Sequence, residues 1–304
     1  MGCHHLIVAA LAAACLAGVG AAHPEHHAAD AVTAPATPDR FLTVDGVHFR
    51  LREEGPRNAP AIVLIHGFTF SLESWDAWAA DLSRDHRVIR FDLAGHGQSG
   101  PDPDQRYDTA TRVRQLARLL DALHVRKATV AGNSFGGLVA WNFAASSPSR
   151  VDRLILVDSA AFSINGVTEK PVPVPPAMRA YLLAPSPAAV AYSAAAIFAH
   201  PERLSTARLD QMRGLIARNG PALVAHLEQF TLPDPRPALA MIKAPTLLLW
   251  GRADKVVPVA QADQLAAAIP DSKLIIYDDV GHAPQEEAST ASIADVRMFL
   301  NDNK

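Results

Sequence analysis

The stretch "TVAGNSFGGLVA", residues 129–140, constrains the fold more than any other part of the sequence. It places Ser134 between Gly132 and Gly136, directly after one apolar run and directly before another. Glycine weakens both strands and helices, so this local pattern is typical of a turn that has to be sharp. A G-x-S-x-G pattern between a predicted strand and a predicted helix indicates a strained turn that lifts the serine hydroxyl clear of a sheet.

Apolar runs recur along the chain and alternate with amphipathic, helical patterns. Continuous apolar runs are typical of strands buried on both faces, and strand–helix alternation predicts a mostly parallel sheet covered by helices on both faces. The first strand-like segment differs, because "FLTVDGVHFRLREEG" (41–55) alternates and contains a turn at Asp45–Gly46, which predicts an antiparallel hairpin. The predicted buried strands are "AIVLIHG" (61–67) and "HRVIRFDLAGHGQS" (86–99), and further strands are predicted at "KATVAGN" (127–133), "RLILVDSA" (153–160), "TLLLWGRADKVVP" (246–258) and "KLIIYDDVGHAP" (273–284).

The alternation stops between about residues 161 and 243. This stretch opens with "KPVPVPP" and continues with alanine-rich helical patterns such as "AAVAYSAAAIFA". An insertion of this length without a buried strand predicts a mostly helical cap over the sheet, before the last core strands. Ordinary covering helices are the alternative.

The N-terminus has a different composition. Residues 6–22, "LIVAALAAACLAGVGAA", are an unbroken apolar run that predicts either a signal peptide or a short membrane anchor, although no Lys or Arg precedes it. We therefore expect residues 1–22 to be a leader and the protein to be exported to the periplasm or beyond. Cys15 follows "LAAA", which resembles a weak lipoprotein cleavage box, so a lipid anchor at Cys15 is the alternative. Residues 23–40 are polar and contain proline, which predicts a disordered linker.

Composition excludes several classes of function. The 304-residue chain carries a net charge of −3, which gives no electrostatic basis for binding nucleic acid. Both cysteines, Cys3 and Cys15, lie in the leader, so the folded part has no thiol chemistry. The folded part shows no metal-ligand cluster and no cofactor motif. We expect a small, mainly apolar substrate and membrane contact only through the N-terminus, and we leave the oligomeric state open.

From Phe41 to the C-terminus the chain resembles the α/β-hydrolase fold family. The resemblance rests on five motifs in the expected order: "HGF" (66–68), "DLAGHGQS" (92–99), "GNSFGG" (132–137), "GRADKVVP" (251–258) and "GHAPQEE" (281–287). Together they are specific for the fold and for a serine-type site, and much less specific for the substrate. They imply a domain over 41–304 with the α/β-hydrolase fold.

A serine hydroxyl is a weak nucleophile near neutral pH and needs a base, which in turn needs a carboxylate to orient it. The resemblance assigns these roles to Ser134, His282 and Asp254, in the chain order Ser, Asp, His that this fold uses. It also assigns the oxyanion hole to the backbone N–H groups of Phe68 and Phe135.

Other residues compete for roles in the site. Asp158 also ends a predicted core strand, so it is the alternative to Asp254. Asn133 either fits the turn or contacts substrate. We expect Asp92 and His96 to be structural, and His66 to shape the oxyanion loop without transferring protons.

The resemblance implies hydrolysis of carboxylic esters, because the elbow carries serine where haloalkane dehalogenases and epoxide hydrolases carry aspartate. The alternative is carbon–carbon bond hydrolysis of vinylogous diketones, since "GNSFGG" and "WGRADKVVP" are similar to the meta-cleavage product hydrolases. Those enzymes favour a glycine-rich oxyanion loop and often a tryptophan after the histidine, where this chain has "HGFTFSLESW" and Ala283. An alternative of another class is a ligand-binding protein without turnover.

Overall fold

The computed structural model describes residues 37–164 and 166–302, and these contain one eight-stranded sheet. The strand order is β1-β2-β4-β3-β5-β6-β7-β8. All pairs from β4 onward are parallel, and only β1–β2 and β2–β4 are antiparallel. The predicted α/β fold with a mostly parallel sheet is thereby confirmed. The strands are β1 (Arg40–Val44), β2 (Val47–Glu54), β3 (Ala61–Ile65), β4 (Arg87–Phe91), β5 (Ala128–Asn133), β6 (Val151–Val157), β7 (Thr246–Gly251) and β8 (Ser272–Tyr277).

The first two strands form the predicted hairpin, with Val44 opposite Val47. Asp45 and Gly46 both have positive φ, 50° and 78°, as a two-residue turn between twisted strands requires. The domain begins slightly before Phe41, because Arg40 already belongs to β1. The end of the predicted linker is therefore part of the fold.

Helices cover both faces of the sheet because each face presents apolar side chains. One face packs against α2 (Thr109–Ala122), α3 (Phe135–Ser146) and α8 (Ala260–Ala268). The opposite face packs against α1 (Asp76–Leu82) and α10 (Ser289–Asn301). Strands β5 and β7 are buried along their whole length, which explains their continuous apolar sequences.

Among the described residues, four α-helices lie between β6 and β7, and we call residues 176–239 the helical insert. They are α4 (Pro176–Leu183), α5 (Pro187–Ile197), α6 (Thr206–Gln229) and α7 (Arg236–Leu239). Leu182, Val190 and Ile216 of the insert form an apolar cluster of their own, which also takes in Phe70 and Ala283 from the core. The sequence predicted a mostly helical stretch without a buried strand between about 161 and 243, and the described residues of this stretch form helices and no strand.

A short helix, α9 (Pro284–Glu287), precedes α10 at the C-terminal end. In the described part of the chain, no single helix has the length and apolarity needed to span a bilayer, and only α4 and α5 together, bent by 110°, meet that test. The predicted leader (1–22) and most of the predicted linker (23–40) lie outside the described residues, so those statements stay predictions.

Candidate active site

Ser134 occupies a strained turn between β5 and α3. Its φ of 54° and ψ of −116° lie outside the regions that ordinary residues adopt. The surrounding backbone holds this conformation: the Ser134 N–H donates to Val157 O (2.9 Å), and Ser134 O accepts from Leu138 N and Ala160 N (both 3.1 Å). The side chain is half-buried and lies at the first turn of α3, where the positive end of the helix dipole favours negative charge.

The flanking glycines are required by close backbone contacts. A Cβ at Gly132 would lie 2.2 Å from Gly136 O, and a Cβ at Gly136 would lie 2.2 Å from Ile65 O. No side chain fits at either distance, so only glycine lets α3 start directly at the end of β5 and pack against β3. This explains the pattern around Ser134 in the sequence.

The loop after β3 lies against the same turn. A Cβ on Gly67 would be 3.3 Å from Ser134 Cβ, so this loop and the serine are in contact. The next residue, Phe68, and the residue after the serine, Phe135, both line the cavity that Ser134 faces. Within the described part of the chain, neither of their peptide N–H groups has a hydrogen-bond acceptor. Two free donors beside a serine can stabilise an oxyanion.

His282 and Asp254 are joined by a hydrogen bond. His282 Nδ1 lies 2.7 Å from Asp254 Oδ2, and both side chains are buried. The other oxygen, Asp254 Oδ1, accepts from Val256 N (2.7 Å) and Val257 N (3.0 Å), which fixes the orientation of the carboxylate. With Nδ1 held in this way, His282 has Nε2 left for the cavity that it lines together with Ser134.

The backbone of His282 is supported from the helical insert. Its N–H donates to Ile197 O (2.6 Å) at the end of α5. Glu287 binds both sides of this contact, since it accepts from Gly281 N (2.9 Å) and from Ala199 N (2.7 Å). The insert therefore takes part in positioning the loop that carries His282.

Asp158 lies beside the Asp254–His282 pair. It follows β6, whereas Asp254 follows the neighbouring strand β7, and the ligand atoms of Asp158, Asp254 and His282 all lie within 4.8 Å of one another. Three such side chains could also ligate a metal ion, but a cation would have to displace the bond between His282 and Asp254. We assign no metal here, and the expectation of a metal-free, cofactor-free site stays a prediction.

Asn133 has a defined structural partner. Its Nδ2 donates to Val157 O (3.2 Å) and to His282 O (3.1 Å), so it ties the end of β5 to the His282 loop. Among the described residues its Oδ1 has no donor, although the atom is buried. The nitrogen is thus occupied by the fold, in line with the turn alternative, and Oδ1 is the atom left for the alternative of a contact with substrate.

The remaining candidates are buried behind the oxyanion loop. His66 Nδ1 donates to Gly67 O (2.8 Å) and its Nε2 accepts from Leu93 N (3.0 Å), which fixes a neutral tautomer. Burial lowers the pKa of His66 to about 4, so it is uncharged at neutral pH. Asp92 accepts from the peptide N–H groups of Leu72 and Gln98, both at 2.8 Å. Both side chains bond to backbone groups, and the structural role expected of Asp92 and the loop-shaping role expected of His66 stay predictions.

A cavity of about 500 Å³ lies beside Ser134 and His282. Ser134, His282, Phe68 and Phe135 line one side of it. Apolar side chains that follow β6 or belong to the insert line much of the rest: Val172, Val174, Met178, Ile197, Leu227 and Phe230.

His226 is a residue in this cavity that sequence reasoning missed. It lies on α6 and is 1% exposed, and its ring centroid is 4.3 Å from that of Phe135. Burial, followed by the charge of Arg112, lowers its pKa well below the ordinary histidine value. The helical pattern of the insert carried no signal for it, because the register of a helix against the core is set by tertiary packing.

A model of the α/β hydrolase fold family matches residues 60–289. The chain belongs to this family. The match spans β3 to the start of α10, so it includes Ser134, Asp254 and His282.

The proteins to which the chain is similar include named hydrolases. The chain is 29% identical over 278 residues to a 2-hydroxy-6-oxo-2,4-heptadienoate hydrolase from Pseudomonas putida, over 86% of this chain and 95% of that protein. It is 30% identical over 292 residues to an uncharacterized protein of Mycobacterium tuberculosis, over 86% of this chain and 81% of that protein. Among solved structures, an esterase from Rhodococcus sp. ECU1013 matches with a TM-score of 0.73 and 27% identity, covering 87% of this chain and 98% of that one. Because this α/β-hydrolase fold protein has named hydrolases among its relatives, the chain is a hydrolase.

Proposed function

We propose that this α/β-hydrolase is a serine hydrolase that cleaves carboxylic esters of small to medium apolar substrates. The observation that carries the proposal is the single cavity that holds a half-buried serine, a histidine bound to a buried aspartate, and two unpaired peptide N–H groups. Among the cavity-lining residues that the structure describes, Lys255 is the one Lys, Arg, Asp or Glu side chain. An uncharged substrate suits such a wall.

The reaction proceeds through an acyl-enzyme. Ser134 Oγ attacks the ester carbonyl carbon while its proton passes to His282 Nε2, and the negative oxygen that forms accepts from the N–H groups of Phe68 and Phe135. The tetrahedral intermediate then expels the alcohol, which takes the proton from His282. Water repeats the sequence on the acyl-enzyme and releases the acid. Asp254 stabilises the imidazolium in both halves.

We also propose that the helical insert is the cap of this site. The insert supplies apolar cavity wall through Met178, Ile197 and Leu227, and it contacts the His282 loop. Acyl or aryl groups of the substrate then lie between the insert and the sheet. Each additional methylene that is buried contributes about 0.8 kcal/mol, or about fourfold in binding, until the cavity is full.

A fluorophosphonate probe and an ester series test the proposal together. The probe should label wild-type protein at Ser134 and leave Ser134→Ala unlabelled. Within a series of p-nitrophenyl esters, kcat/KM should rise by up to about fourfold per methylene and then fall when the cavity is full. Absence of labelling would instead support a ligand-binding protein without turnover.

Carbon–carbon bond hydrolysis is the second candidate, because the Pseudomonas putida relative is named a hydrolase of 2-hydroxy-6-oxo-2,4-heptadienoate. Such a substrate carries a carboxylate, and Lys255 offers a cation at the cavity wall, with its Nζ 3.1 Å from Ala195 O. Clear cleavage of a vinylogous diketone acid, with negligible activity on every ester, would transfer the enzyme to that class. Lys255→Met should then abolish the preference for the carboxylate.

A further inference from the structure

Asp158 has an unexplained carboxylate oxygen. Its side chain is fully buried, and Oδ1 accepts from Gly251 N (2.9 Å). Its Oδ2 is buried and receives no hydrogen bond from any described donor. A buried carboxylate oxygen without a donor is costly, and the cost is larger if the group is ionised.

The neighbours of Asp158 increase that cost. One carboxylate oxygen of Asp158 lies within 4.8 Å of a carboxylate oxygen of Asp254 and of a ring nitrogen of His282. Glu287 on α9 and Tyr277 on β8 also interact electrostatically with Asp158. Two of these neighbours are carboxylates, and the Tyr277 hydroxyl already donates to Asp295 (2.8 Å). Two carboxylates whose oxygens lie within 4.8 Å of each other repel when both are ionised, which raises the pKa of one of them.

We propose that Asp158 is a protonated carboxylic acid whose Oδ2–H donates to the Asp254 carboxylate, which makes Asp158 a positioning residue for the base. One proton accounts both for the missing donor at Oδ2 and for the close approach of the two acids. Asp254 then holds His282 through one oxygen while its own orientation is fixed by Val256 N, Val257 N and the acid proton of Asp158. The inference rests on the proposed function only in assigning His282 as the base.

Burial, and then the negative charge of Asp254, raises the pKa of Asp158 well above the ordinary aspartate value, in agreement with this geometry. A carboxylic acid kept neutral so that it can donate a hydrogen bond is an established use of a buried carboxyl group. The same bond restrains the end of β6 against the end of β7.

Two substitutions separate donation from charge. Asp158→Asn keeps an N–H donor of the same shape and cannot ionise. Asp158→Gly removes the donor, and glycine suits the φ of 43° at this position. Asn also tolerates positive φ better than most residues, so both variants should fold.

Kinetics give the first readout. We expect Asp158→Asn to keep kcat within about threefold of the wild type. Asp158→Gly should lose about 10- to 100-fold in kcat with little change in KM, because one hydrogen bond to a charged group is lost. If Asp158→Asn loses as much activity as Asp254→Asn, the ionised form is the working one and the proposal is wrong.

Infrared spectroscopy gives a readout that does not depend on activity. Folded wild-type protein at neutral pH should show the C=O stretch of a protonated carboxyl group, and the band should be absent in Asp158→Asn. Asp279→Asn is the matched control, because Asp279 also has positive φ but an exposed carboxylate, so the band should persist. No such band in the wild type would overturn the proposal even if the enzyme is an active esterase. Loss of activity in a chelator would also overturn it, since a cation would then hold the two acids together.

Discussion

The sheet and the helical insert contribute to the cavity in different ways. The sheet provides the proposed reacting groups from the ends of its strands: Ser134 and Asp254 follow β5 and β7, which are buried along their whole length, and His282 follows the partly exposed β8. The insert provides apolar wall from helices that are mostly half-exposed, and in α5 only Val190 and Ala194 are buried. A position set by backbone hydrogen bonds in a buried sheet tolerates little change, whereas a half-buried helix face can be substituted. We therefore expect chemistry to depend on the sheet and substrate preference to depend on the insert.

The comparison is sharpest between two serines that line the same cavity, Ser134 from the sheet and Ser193 from the insert. Ser134→Ala should lower kcat by about 10⁴-fold or more, because the triad acts as a unit. Ser193→Ala should change kcat/KM by less than about tenfold, the value of one neutral hydrogen bond. Both variants should keep the wild-type melting temperature to within a few degrees. More than a tenth of wild-type activity in Ser134→Ala would contradict the assignment of the nucleophile.

Adjacent residues after β7 give the second test. Asp254→Asn should lower kcat by about 10⁴-fold, as the equivalent change does in a serine protease triad, because the histidine loses its correct tautomer. Lys255 donates to Ala195 O in the insert, so Lys255→Met should alter selectivity among substrates and leave kcat on the best ester within about threefold. Equal losses in the two variants would mean that the insert and the triad are not separable. Steady-state kinetics on the ester series measures both.

Core packing should separate the two regions by stability. Leu156 in β6 is 0% exposed, so Leu156→Ala should lower the free energy of unfolding by about 3 kcal/mol. Leu227 in the insert is half-buried and lines the cavity, so Leu227→Ala should cost less than about 1 kcal/mol while it shifts the preferred acyl length upward. Chemical denaturation and the ester series provide the two measurements. A large loss of stability in Leu227→Ala would show that the insert is part of the main folding unit.

The pH dependence of stability tests the sheet side of the comparison. Folded Asp158 keeps a proton that the unfolded chain releases near its ordinary pKa of 3.8. As the pH rises above that value, the unfolded state binds fewer protons than the folded state, so the free energy of unfolding of the wild type falls relative to that of Asp158→Asn. The difference should change by up to about 1.4 kcal/mol per pH unit and level off once the folded protein also releases the proton.

Below about pH 3 the two curves should run parallel, because Asp158 is then protonated in both states of the wild type. Denaturation of the wild type and of Asp158→Asn between about pH 3 and 7 measures this. Parallel curves throughout would mean that folding does not change the proton affinity of Asp158.

Much of the fold and of the site follows from local sequence. The elbow could be predicted because Gly132 and Gly136 are imposed by backbone contacts that leave no room for a Cβ. The hairpin could be predicted because Asp45–Gly46 suits a turn with positive φ at both residues.

The contact between Asp158 and Asp254 was harder to predict, since the helical insert separates them along the chain. The sheet order makes β6 and β7 neighbours, and acids at the ends of neighbouring parallel strands then meet. From the sequence, Asp158 was the alternative to Asp254 as the residue that orients His282. The structure places both aspartates beside His282. His226 could not have been found, because nothing local fixes which side of α6 faces the cavity.

The bond from His282 N to Ile197 O has a consequence for divergence within the family. It joins main-chain atoms only, so it imposes no particular side chain on either residue. The α5 side chains other than the buried Val190 and Ala194 can then change under selection for a new substrate, while the main-chain support for the His282 loop is kept. A protein with this main-chain bond can change its substrate preference by substitutions in α5 alone. Compensating substitutions around His282 are then not needed.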